Sequence, residues 1–67
     1  MAVAKTIELS ATSTTGFDDA VRRGLERAEK TLKNVKGAWI KEQKVKAEAG
    51  RIVEFRVHMM VTFVLEE

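Results

Sequence analysis

The chain has 67 residues with twelve basic and ten acidic side chains, no cysteine, no proline and one histidine, His58. This length holds one domain, 1–67, with a small core; disulfides and thiolate metal sites are excluded, one histidine cannot form a histidine-based metal site alone, and self-association is the expected stabiliser. A net charge of +2 is no nucleic-acid footprint, no apolar run is long enough to span a bilayer, and Met1 to Lys5 lack a secretory pattern, so a soluble cytoplasmic protein with neither nucleic acid nor membrane as partner is expected.

In the first segment Val3, Ile7, Leu9 and Ala11 alternate with Thr6, Glu8 and Ser10. A period of two predicts a half-buried strand over Val3–Ala11, interrupted near its start by Lys5. Thr12-Ser13-Thr14-Thr15-Gly16 then predicts a turn and a helix start, because a hydroxyl there can accept a free N–H of the first helical turn. Thr15 and Asp18 stand at capping-box spacing, and Asp18 and Asp19 suit the positive end of a helix dipole.

From Phe17 the period changes. Phe17, Ala20, Val21, Gly24, Leu25, Ala28, Leu32 and Val35 follow three- and four-residue steps, the stripe of one amphipathic helix. Asp18–Arg22, Asp19–Arg23, Glu26–Lys30 and Glu29–Lys33 are acid-first pairs at i,i+4, expected on its solvated face. Gly24 and the two alanines make the stripe thin, which lets a helix lie close against a sheet. Asn34-Val35-Lys36-Gly37 is expected to stop the helix, with Gly37 in the left-handed conformation.

Ala38–Ala47 is expected as a second strand. Its alternation is impure, with Ile40 on one side and Trp39, Val45 and Ala47 on the other, as happens where a strand carries a bulge or meets a neighbouring subunit. Glu48-Ala49-Gly50-Arg51 predicts a hairpin turn with positive φ at Gly50. In the last segment, Ile52–Leu65, seven successive odd positions are apolar: Val53, Phe55, Val57, Met59, Val61, Phe63 and Leu65. The even positions are mixed. The odd face should meet the helix, and the even face should meet other subunits or a bound molecule.

The order strand, helix, strand, strand predicts an α+β fold. A crossover that leaves one strand position vacant lets the last strand enter between the first two, giving a three-stranded antiparallel sheet of order 1-3-2 with the helix on one face. The other face then asks for partners.

This arrangement resembles the dodecins. The resemblance rests on Ile7-Glu8-Leu9-Ser10-Ala11-Thr12-Ser13 entering the helix, on Ala28-Glu29-Lys30-Thr31-Leu32-Lys33-Asn34-Val35 leaving it, and on Phe55-Arg56-Val57-His58-Met59-Met60-Val61-Thr62-Phe63. It covers almost the whole chain. It implies a hollow homododecamer that binds and stores a flavin (FMN, riboflavin or FAD) and turns over no substrate. Some relatives are linked instead to coenzyme A or to metal ions, which implies the alternative of a structural shell. The family's flavin-stacking aromatic falls at Gly37, with Trp39 two residues on, on the same strand face and about 7 Å away at about 3.3 Å per residue. The family's flavin-contacting glutamine falls at Arg56, whose guanidinium donates from a rigid fork and accepts nothing.

The candidate cofactor-binding residues are therefore Trp39, Arg56 and Lys44. Trp39 can serve as a platform for a planar ligand or as an interface anchor. Arg56 can hold a phosphate, a carboxylate or an anionic ring edge, or it can pair with Glu54 or Glu42 or across a subunit boundary. Lys44 and Lys46 can line the same region. His58 can fix a hydrogen bond or act as a pH switch, and Met59 and Met60 suit packing. Ser10 and Ser13 have no histidine nearby in sequence, and no nucleophile motif or phosphate-binding glycine loop is present, so no catalytic residue is expected.

Overall fold

The computed structural model describes residues 3–65. The elements are β1 (Val3–Ser13), α1 (Phe17–Leu32), β2 (Val35–Glu48) and β3 (Arg51–Leu65). β3 lies between β1 and β2 and pairs antiparallel with both, giving the order β1-β3-β2. This is the α+β architecture expected from the sequence.

The core follows from the parity of β3. Val57, Met59 and Val61 are fully buried against α1, and Phe63 nearly so. Ile7, Leu9 and Ala11 of β1 and Phe17, Val21, Leu25 and Leu32 of α1 close around them. The helix contributes small residues at its contact points: Ala20, Gly24 and Ala28 are buried. A Cβ on Gly24 would collide with the Met59 methyl and press on Ala11 and Leu9 at 3.3 Å. The glycine therefore sets how closely the helix approaches the sheet. Phe17 and Phe55 seal one end edge to face, with ring centroids 5.1 Å apart.

The helix start differs from the capping box expected at Thr15 and Asp18. Gly16 is the N-cap and no side chain caps it. Ser13, buried at the end of β1, accepts the Thr15 and Gly16 N–H groups on Oγ and donates to Asp19 Oδ2 at 2.6 Å. Asp19 also receives Arg23 Nε at 2.6 Å and Arg22 Nη2 at 2.9 Å. The Ser13 hydroxyl, then Arg23 and Arg22, hold the Asp19 carboxyl well below the usual carboxylate range, and the same contact raises Arg23. Of the four expected acid-first pairs, the structure forms Asp19–Arg23. Arg22 turns to Asp19 rather than Asp18.

The helix end also differs. It stops at Leu32, and Gly37 lies inside β2 rather than in a left-handed cap. The positive φ values fall on Lys33 (61°) and Asn34 (52°). Glu29 makes this turn possible. Its carbonyl accepts Lys33 N–H at 3.2 Å and its carboxylate accepts Val35 N–H at 3.0 Å. Val35 thus opens β2 yet still packs on the core.

β2 shows the irregularity that its mixed alternation predicts. The β2–β3 register shifts at Val35/Gly37, at Ile40/Glu42 and at Lys46/Ala47. The insertion at Lys41 changes the parity of everything after it. Val45 consequently pairs with Phe55 on the helix side, with Ile40, instead of sharing a side with Trp39. The hairpin closes through Ala49 (φ 51°) and Gly50 (φ 77°), two adjacent positive values, as a type I′ turn requires.

Fifteen residues of β3 extend for about 50 Å, whereas sixteen residues of α1 extend for about 24 Å. The helix therefore covers only part of the sheet. Val45, Ile52 and Val53 on the overhanging hairpin stay exposed, as does Leu65 at the opposite end of β3.

Candidate functional site

The helix-free sheet face is built from the even positions of β3 and their cross-strand partners, because residues opposite each other in an antiparallel pair share a face. Successive rows run across three strands. Thr6, Thr62 and Gly37 form one. Glu8, Met60 and Trp39 form the next, followed by Ser10, His58 and Glu42, and then by Thr12, Arg56 and Lys44.

All three candidate residues thus share one face, but they do not form one contact site within a protomer. Arg56 and Lys44 lie directly opposite each other and line a shallow depression of about 240 Å³ with Val45, Lys46 and Glu54. Trp39 stands two rows away. Four residues of β3 separate its partner Met60 from Arg56, or about 13 Å. Trp39 itself is 55% exposed. Beside it, a Cβ on Gly37 would meet nothing within 4 Å. Gly37 and Trp39 pair with Thr62 and Met60, which confirms that positions 37 and 39 share a face.

The charges on this face are paired along and across the strands. Arg56 Nη2 bonds Glu54 Oε2 at 3.0 Å, which is the structural pairing foreseen for it, and Lys44 Nζ lies 3.7 Å from Glu42 Oε1. His58 Nε2 lies 3.9 Å from the same Glu42 oxygen, too long for a hydrogen bond. Two like charges, Arg56 and Lys44, stand opposite each other in register. Such a placement costs stability by itself, and Glu54 and Glu42 partly offset it.

One pair on this face is not evident in the sequence. Lys41, the inserted residue of β2, places Nζ 3.4 Å from Glu8 Oε2 on β1. The contact spans the sheet from β2 to β1, across β3. The only sequence signal for it is the broken alternation around Ile40–Glu42.

Among the described residues, no helix is long and apolar enough to cross a membrane. No group of three or more metal-ligating side chains is assembled among them. A second hollow of about 470 Å³ lies between α1 and the start of β2, lined by Leu25, Glu26, Glu29, Val35, Lys36 and Gly37.

The family model described as Dodecin matches residues 3–66. Among solved structures, a single-substitution variant of the Thermus thermophilus dodecin is 34% identical, with 100% of each chain covered and a TM-score of 0.94. The dodecin from Streptomyces davaonensis is 32% identical over 98% of this chain and 97% of its own, with a TM-score of 0.93. A calcium-chelating dodecin from Mycobacterium tuberculosis is 26% identical over 96% and 91%, with a TM-score of 0.82. No curated protein matches the chain at a significant level.

Proposed function

Because the chain belongs to the dodecin family, we propose that it is a cofactor-binding and storage module of the cytoplasm that assembles as a hollow homododecamer, takes a flavin as its ligand and catalyses no reaction. The observation that supports this most is Trp39: an indole more than half exposed on the helix-free sheet face, over Met60, with open space at Gly37 beside it. A large aromatic left in water can serve as a stacking platform for a planar ring. Trp39 would hold the ring face. Arg56 and Lys44, a row pair about 13 Å along β3, would hold an anionic group of the same or a neighbouring ligand across the assembly.

The test is optical. Purified protein is expected to carry visible flavin absorbance, or to quench riboflavin fluorescence on titration at micromolar concentration. Trp39→Ala is expected to weaken that binding about three- to tenfold with the assembly mass unchanged. Absence of any quenching by the unaltered protein would overturn the reading.

A second reading is favoured by the like-charged pair of Lys44 and Arg56. Phosphates, such as those of coenzyme A, would offset that charge better than a neutral ring. Competition between coenzyme A and riboflavin, followed by quenching, separates the two ligands.

A further inference from the structure

We propose that Lys41 is a ligand-binding residue of the Trp39 platform, and that Glu8 is its counter-ion in the ligand-free state. The ligand class is a planar heteroaromatic with hydrogen-bond acceptors along one edge. This inference rests on the proposed function at the same face and names a contact that the family resemblance does not assign.

Three observations carry it. First, Lys41 is the inserted residue between Ile40 and Glu42, where the β2–β3 register shifts. In a regular strand Lys41 would alternate in step with Trp39 and leave Glu42 on the helix side. The bulge re-aims Glu42 onto the helix-free face, while Lys41, in contact with Glu8 there, stays on the face of Trp39, and bulges re-aim side chains in this way beside functional sites. Second, Glu8, Met60 and Trp39 form one row across the sheet, and the Lys41 ammonium ends 3.4 Å from Glu8 Oε2. The ammonium therefore ends at the β1 side of the row that holds Trp39 on β2. Third, the side chains of Lys41 and Glu8 are 58% and 47% exposed. An ion pair this wet is weak, so the cation is readily shared or released. Lysine offers three donors and no acceptor, which suits carbonyl oxygens or an anionic edge of a ring. Arg56, two rows further on, is tied to Glu54 and is farther from the indole.

Two substitutions have opposite expected effects. Lys41→Met keeps the aliphatic stem and removes the donor, and riboflavin binding is expected to weaken about tenfold. Glu8→Gln frees the ammonium, and binding is expected to tighten about two- to fivefold. Lys41→Arg retains a cation and should keep most of the affinity. If the bridge matters only as a brace between β1 and β2, Lys41→Met and Glu8→Gln will weaken binding alike, and that result overturns the inference. Unchanged affinity in Lys41→Met overturns it too, while the function of the platform stands because the unaltered protein still binds. If the unaltered protein quenches no riboflavin, both fall together. Should Lys41→Met fail to assemble, Glu8→Gln alone decides by the sign of its effect.

Discussion

Asp19 shows how one side chain can tie two elements together. It takes hydrogen bonds from Ser13 on β1 and from Arg22 and Arg23 on α1, and these hold it ionised. A carboxyl whose native pKa is depressed stabilises the fold above its unfolded value, near pH 4, and that stabilisation is lost as pH falls toward the native value. The thermal midpoint should therefore drop on acidification below about pH 4. Asp19→Asn should flatten that drop and lower the midpoint at neutral pH, both measurable by circular dichroism melts; an unchanged acid slope in the variant would remove Asp19 from this role. The sequence places Asp19 at the helix start and pairs it with Arg23 correctly. It does not reveal Ser13, because that bond depends on how the chain turns between Ser13 and Gly16. Lys33 and Asn34 are hidden for a similar reason: their positive φ belongs to a turn that Glu29 bridges by reaching forward to the Val35 N–H, whereas Gly37 is the residue type suited to such a φ.

At the scale of elements, hydrophobic period is legible wherever one face of an element is buried by its own protomer. The odd positions of β3 and the stripe of α1 are such cases, and so is the alternation of β1. β2 is exposed along nearly its whole length, so nothing within the protomer constrains its pattern, and three register shifts further scramble it. That is why Val45 was assigned to the wrong side and why Lys41 left no clear trace. The contact of α1 with the sheet carries its own prediction. Gly24→Val inserts a branched side chain where even one carbon collides with the methyl of the fully buried Met59 and presses on Ala11 and Leu9. Overpacking of this kind costs about 1–3 kcal/mol. Chemical denaturation should register that loss, whereas a neutral result would mean that the helix can lift off the sheet without penalty.

The whole molecule measures 52 × 19 × 13 Å, with a radius of gyration of 13.8 Å against about 11 Å for a globular chain of this length. Such a shape leaves the overhanging hairpin with exposed apolar side chains, Val45, Ile52 and Val53. The proposed assembly is what would cover them. Ile52→Glu combined with Val53→Glu should shift the native mass at micromolar protein toward smaller species; retention of the full mass would show that the hairpin is not a contact. The assembly, like the ligand, is not written in the pattern of one chain, since its contacts lie between chains. The 1-3-2 strand order has a further effect, on synthesis. Among the described residues β1 and β2 each pair only with β3, and β3 follows both of them in the sequence. No ladder of this sheet can close until Arg51–Leu65 has been made. While it is being translated, the chain can hold a nascent helix and two unmatched strands, and it gains its sheet only when β3 threads between them.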